Sequence, residues 1–88
     1  MNNRLEGKLI FKGIDITRAK KGNISKSVAK FEDMEGSKLH WISSKGTFYN
    51  KYIATNKIEE GYMVLARYSD VITKGNITYI NRVKIKEY

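Results

Sequence analysis

Seven glycines divide this chain into short segments. Most of these segments are rich in Ile, Val, Tyr, Phe and Trp, which favour the pleated, half-buried surface of a sheet, and the chain contains no proline. Glycines at such intervals are typical of turns and bulges between short strands. The pattern therefore predicts an all-β domain of five strands with one short helix. The glycines are Gly7, Gly13, Gly22, Gly36, Gly46, Gly61 and Gly75.

The length of 88 residues leaves room for one hydrophobic core, and no linker, repeat or low-complexity run marks a boundary. We therefore predict a single domain over residues 1–88. The chain has no cysteine and one histidine, which argues against disulfides and histidine metal clusters, so we expect no cofactor. No run approaches the roughly 18 apolar residues of a spanning helix, and Met1 to Leu5 is too polar to begin a signal peptide. These features predict a cytoplasmic protein with no membrane-spanning segment, and among its partners we expect nucleic acid or protein and no membrane.

The N-terminal half is expected to hold three strands. The first covers about Arg4 to Thr17 and is long enough to need a bend, at Gly7 or Gly13. A polar, basic loop from Arg18 to Ser25 follows. The second strand, Lys26 to Glu32, joins the third, Lys38 to Ser43, through an acidic hairpin turn that ends in glycine.

The C-terminal half is expected to hold the helix and two further strands. Between Gly46 and Gly61, the spacing of Tyr49, Tyr52 and Ile53 favours a short helix, with Thr47 as a candidate N-cap. The fourth strand, Tyr62 to Ser69, is apolar on both faces apart from Arg67, which favours a strand that is central or covered on both sides. The fifth strand, Ile77 to Tyr88, follows a turn at Lys74-Gly75-Asn76.

The fifth strand alternates between apolar and polar residues, as a half-buried strand does. The residues predicted to share its inward face are Ile77, Tyr79, Val83 and Ile85. Those predicted to share its outward face are Thr78, Arg82, Lys84 and Lys86.

The charge balance is strongly positive, because 17 Lys and Arg residues face nine Asp and Glu residues, a formal charge of +8. Such a potential on a small surface attracts polyanions, of which nucleic acid is the commonest and an anionic membrane the other candidate. The abundance of Ile, Lys and Asn is typical of AT-rich coding, which adds positive charge independently of function.

Three strands, a short helix and two more strands, with a long bent first strand, resemble the oligonucleotide/oligosaccharide-binding fold, or OB-fold, a five-stranded Greek-key barrel. The resemblance covers nearly the whole chain and rests on the order of elements, the glycine placement and the character of the loops. It implies a binding surface across the second and third strands, flanked by the first-to-second and fourth-to-fifth connections. The first connection then supplies Arg18, Lys20 and Lys21, and the second, Asp70 to Asn76, supplies Lys74.

The phase of the second and third strands decides what this surface presents. If the apolar residues face the core, the outward face carries Lys30, Lys38 and His40, while a slip of one residue exchanges the two faces. The residues placed in the core by this phase are Ala29, Phe31, Leu39 and Trp41.

Proteins of this fold that bind single strands stack bases on exposed aromatic rings. Trp41, the only tryptophan, is read either as a core residue or as a base-stacking residue. With Trp41 in the core, stacking falls to Phe48, Tyr49 or Tyr52.

The sequence supplies no recognisable catalytic group, because His40 has no Ser, Cys or second His in a suggestive arrangement, and we predict that the chain is not an enzyme. We expect a module that binds single-stranded DNA, or RNA, with little sequence preference. The alternative is a small phage or mobile-element protein that docks on an acidic host or replication protein. The residues expected to contact nucleic acid are Arg18, Lys20, Lys21, Lys30, Lys38, His40, Trp41, Tyr49, Tyr52 and Lys74.

Overall fold

The computed structural model describes residues 4–88, without the side chains of residues 70 and 71. Residues 1–3, which begin both the predicted domain and the polar stretch Met1 to Leu5, lie outside the described residues. The chain is mostly β with one short helix, which confirms the predicted class. In chain order the elements are β1 (Arg4–Arg18), β2 (Ile24–Asp33), β3 (Lys38–Ser43), a π-type helical turn (Tyr49–Ile53), β4 (Met63–Lys74) and β5 (Ile77–Glu87).

The five strands close into a barrel in the order β1-β2-β3-β5-β4, with β4 returning to β1. All neighbours are antiparallel except β3 and β5, which run parallel over the four pairs from Lys38↔Ile77 to Trp41↔Ile80. A parallel pair needs a long crossover. The helical turn and β4 lie in that crossover.

The long first strand is irregular at Gly13, one of the two positions at which the sequence predicts a bend. Its N-terminal part, Arg4 to Ile10, pairs with β4, and its part from Leu9 onwards pairs with β2. The register with β2 shifts between Phe11 and Gly13, where the glycine has a φ of 137°. Because residues with a Cβ rarely adopt this conformation, glycine allows the one strand to serve two neighbours.

Aromatic rings fill the barrel around Phe48. Its ring centroid lies 6.0 Å from those of both Phe11 and Phe31, and 5.3 Å from that of Trp41. Phe48 stands directly before the helical turn and is 4% exposed. The turn is therefore anchored to the barrel by one buried ring.

Within residues 4–88, the structure contains no helix with the length and apolar character that a membrane span requires.

Two local predictions are wrong, and a third holds in one of its two alternatives. Thr47 does not cap the helix, because the cap position is Phe48 and no side-chain hydrogen bond is made there. β4 is central, because it pairs with both β1 and β5, but it is not covered on both sides, since Met63 is 48% exposed. The predicted loop from Asp70 to Asn76 is strand as far as Lys74, and only Gly75 and Asn76 separate β4 from β5. The physical reason is the β-branched run of residues 71–73, which continues the strand.

The predicted phase of β5 is wrong in its first half. Ile80 is 3% exposed in the core, so Tyr79 points outward, while Val83 and Ile85 pack against the core as predicted. The phase changes at Arg82, which has a φ of 53°. Its carbonyl accepts a hydrogen bond of 2.6 Å from Nη2 of Arg4, and the pairing with β4 shifts register at the same place.

Replacing Phe48 with alanine should lower the free energy of unfolding by about 3–5 kcal/mol, since it removes a buried ring that touches four other rings. Urea denaturation of the two proteins measures the change. The matched control is Met63→Ala, whose side chain is half exposed and should cost far less. Equal losses in the two variants would contradict the central place of Phe48.

Candidate functional site

Cationic and aromatic side chains gather on the outer surface of β2, β3 and β5. Lys30 pairs with His40, which pairs in turn with Tyr79, so these three side chains form one row across the strands. A second row contains Lys38, Ile77 and Lys74. We call this surface the basic face. Besides residues of these three strands, it takes in Lys12 of β1 and Ile72 and Lys74 of β4. It comprises Lys12, Lys30, Glu32, Lys38, His40, Ile42, Ile72, Lys74, Ile77, Tyr79 and Asn81.

Strand alternation produces this face. Ala29, Phe31 and Leu39 are buried, so Lys30, Lys38 and His40 point away from the core. Of the two phases that the sequence leaves open, β2 and β3 therefore have the one in which the apolar residues face the core. Lys74, placed in a loop by the sequence, reaches the face instead from the last residue of β4.

The centre of the basic face is an aromatic pair. The rings of His40 and Tyr79 meet edge to face, with centroids 6.0 Å apart and planes at 86°. A contact of this kind occupies no more than one face of either ring. Ile42 and Ile72, each 49% exposed, lie with Tyr79 around one shallow depression that Asn81 also lines. The face thus combines an apolar platform with surrounding cations.

Two acids partly neutralise the lysines. Nζ of Lys30 lies 2.7 Å from a carboxylate oxygen of Asp15, and Nζ of Lys12 lies 3.7 Å from one of Glu32. Both pairs are solvent-exposed, and such pairs contribute only about 0–1 kcal/mol. Among the described side chains, Lys38 and Lys74 form no ion pair. The face therefore keeps cations that an anionic ligand can engage.

The surroundings of His40 lower its pKa. Partial burial is the largest cause, and the positive charges of Lys30 and Lys38 lower the pKa further, while Asp15 raises it. These surroundings therefore favour the neutral form of His40 over the protonated form. In that state its imidazole offers one donor and one acceptor beside the lysines.

The β1–β2 turn forms a second basic cluster, at the opposite end of β2 from Lys38. Nη1 of Arg18 donates a 2.8 Å hydrogen bond to the carbonyl of Gly22, and the guanidinium lies 5.9 Å from the ring centroid of Tyr49. Lys20 and Lys21 are exposed in the same turn. The structure thus brings Tyr49 to this turn and not to the basic face.

Trp41 and Tyr52 lie on the other side of β3 from His40. Trp41 is partly buried and packs against the core through Phe48, in agreement with the core reading of this residue. Tyr52 contacts Phe48 and Tyr88, with centroid distances of 5.4 Å to each. Phe48 is buried and does not reach the surface. The aromatic residues expected to stack bases are thus separated from Lys30, Lys38 and Lys74 of the basic face.

The sequence reasoning missed Tyr79, because it assigned this ring to the core. A signal was present: a single alternation from Ile77 to Ile85 puts Asn81 in the core and Ile80 outside. That polar residue at an inward position indicates a change of phase. Lys12, Ile42 and Ile72 were missed because only the register between strands brings them to the same surface.

Comparison with protein-family models, with curated proteins and with solved structures finds no match to this chain.

The lowered pKa of His40 should make the protein less stable in acid. Its folded pKa lies below the unfolded value of about 6.5, so the unfolded chain takes up the proton first, and stability is lost as pH falls from that value through the folded pKa. Urea denaturation at several pH values between about 7.5 and 5 should give a smaller loss for His40→Gln than for the wild type. If the free energy of unfolding changed with pH by the same amount in the wild type and in the variant, His40 would not be the cause of the acid sensitivity.

Proposed function

We propose that the chain is an OB-like module that binds single-stranded nucleic acid, most favourably DNA, on the basic face and with little sequence preference. The observation that carries the proposal is that the exposed ring of Tyr79 lies on the same surface as Lys30, Lys38 and Lys74. The OB-like assignment is supported by the strand order, the parallel β3–β5 pair and the helical turn between β3 and β4.

Phosphate binding needs fixed cations along the path of the strand. Lys38 and Lys74 flank Ile77 across three neighbouring strands, and since strands lie about 4.8 Å apart the two backbone positions are separated by roughly 10 Å. The exposed pairs of Lys12 and Lys30 stabilise the free protein little, so phosphates replace the carboxylates at small cost. The cluster at Arg18, Lys20 and Lys21 extends the positive surface beyond the far end of β2.

The second requirement for binding a single strand is a surface on which bases can stack. Tyr79 lies on a strand rather than on a loop, so its position is held by the pairing of β5 with both β3 and β4. Ile42 and Ile72 beside it offer further apolar contact for unstacked bases. Every base has a π-face, so such a platform binds bases without selecting among them. Double-stranded nucleic acid, whose bases are stacked internally, cannot use it.

Affinity should fall with salt, and removing two lysines should reduce that dependence. For a labelled single-stranded oligothymidylate, the slope of log affinity against log salt should become less steep by about 1.4 in Lys38→Ala/Lys74→Ala, at about 0.7 per phosphate. The measurement is fluorescence anisotropy between about 50 and 200 mM salt.

The matched control is Lys8→Ala/Lys57→Ala, which removes the same charge from exposed positions outside the basic face. Its slope should stay close to that of the wild type. An affinity that does not depend on salt, or an equal change of slope in both double variants, would contradict the proposed interface.

Replacing Tyr79 should weaken binding without changing the salt slope. Tyr79→Ala should cost about 1–3 kcal/mol, a loss of roughly 5- to 150-fold in affinity, because base stacking is lost while the phosphate contacts remain. Tyr62→Ala is the control, since Tyr62 is a half-exposed tyrosine outside the basic face. The emission of Trp41 should change little on addition of the oligonucleotide. A strong quench of Trp41, or equal affinities for the two tyrosine variants, would place the bases elsewhere.

A further inference from the structure

A second concavity lies between the helical turn, the end of β3 and the C-terminal half of β5. We call it the edge groove. Its floor contains Trp41, Val83 and Ile85, and Ser43 and Thr47 line it as well. Its remaining lining residues are Lys45, Phe48, Lys51, Tyr52 and Lys84, and no acidic side chain is among them. None of these residues belongs to the basic face.

One wall of the edge groove is an open strand edge. β5 pairs with β3 only as far as Ile80, but it continues to Glu87 against β4 alone. Within residues 4–88, no strand pairs with the other edge of β5 beyond Ile80. Unpaired N–H and C=O groups on such an edge are a template for an added strand, which gains main-chain hydrogen bonds.

The lysines around the edge groove determine which kind of polypeptide segment can pair with the free edge of β5. A second copy of the chain would bring Lys84 and its neighbour Lys86 against like charges, and charged residues of this kind block association between identical edges. An acidic segment instead meets Lys45, Lys51 and Lys84 with opposite charge. Its alternate side chains point to opposite sides of the added strand, which suits a groove with an apolar floor and a cationic rim.

We propose that the edge groove binds an extended, acidic segment of another protein, added as a strand to β5. Apolar side chains of the segment pack on Trp41, Val83 and Ile85, and acidic side chains between them pair with Lys45, Lys51 and Lys84.

Two features favour a peptide over a nucleic acid in this groove. A strand edge is satisfied by the regularly spaced amides of a polypeptide, which a nucleic acid lacks. The rings are also already engaged: Trp41 packs on Phe48, while Tyr52 contacts Phe48, Tyr88 and Lys51, whose Nζ lies 5.3 Å from its ring centroid. Bases need free ring faces for stacking, and Tyr79 on the other surface provides a better one.

The test uses the emission of Trp41, the only tryptophan, which reports directly on the edge groove. The probe is a synthetic peptide of about ten residues in which Asp and Glu alternate with Leu and Val. We expect saturable binding with a change in Trp41 emission, and Lys51→Glu/Lys84→Glu should weaken it by at least about tenfold, because two attractions become repulsions. A peptide of the same composition with its acidic residues grouped at one end should bind more weakly.

The charge-matched control is Lys38→Glu/Lys74→Glu on the basic face. It should keep peptide binding and lose oligothymidylate binding, whereas Lys51→Glu/Lys84→Glu should show the reverse. Circular dichroism confirms that each variant is folded, and Lys51→Gln/Lys84→Gln gives a milder version of the same change.

Peptide binding with equal affinity to both reversal variants would overturn the proposed site, as would a Trp41 signal produced by oligothymidylate and not by the peptide. A folded protein that binds no peptide also overturns it. Loss of oligothymidylate binding alone bears only on the proposed nucleic-acid function, since the two variants separate the surfaces.

Discussion

The left-handed conformation of Arg82 is the constraint on which both surfaces of the barrel depend. Before it, Tyr79 points outward, Ile80 enters the core and the pairing of β5 with β3 ends; after it, Val83 and Ile85 turn inward. A φ of 53° costs about 1–2 kcal/mol for a residue with a Cβ. The Arg4 guanidinium, bonded to the Arg82 carbonyl, helps to offset that cost and links both ends of the described chain.

One strand serves the two surfaces at once. On β3, successive side chains point to opposite sides, so His40 lies on the basic face and Trp41 lies in the floor of the edge groove. The proposed nucleic acid and the proposed peptide therefore occupy opposite sides of the same backbone and do not compete for side chains. Phe48 supports this arrangement from inside, because its ring contacts Trp41 on one side and the core rings Phe11 and Phe31 on the other.

The sequence predicts the local elements well and their mutual positions less well. The sequence favours the observed phase of β2 and β3, because Phe31 and Leu39 alternate with lysines, but it leaves a slip of one residue open. It offers Gly7 and Gly13 alike as the site of a bend, and only the register with β2 distinguishes them. It does not reveal the phase change at Arg82, since arginine has no preference for left-handed backbone and only Asn81 contradicts a single alternation. The ion pair of Lys30 with Asp15 depends on the register between β1 and β2, which no local pattern reveals.

Net charge attracts anions to this protein but does not choose between them. Lysines stand on the basic face, in the β1–β2 turn and around the edge groove, so every one of these regions draws a polyanion by the same long-range force. What differs is the short-range chemistry beneath the charge. Tyr79 has ring area that a base can cover, whereas the edge groove has engaged rings and unpaired backbone groups. The choice of ligand at each surface therefore follows from which uncharged groups remain unsatisfied there, and in both places the path of β5 around Arg82 decides it.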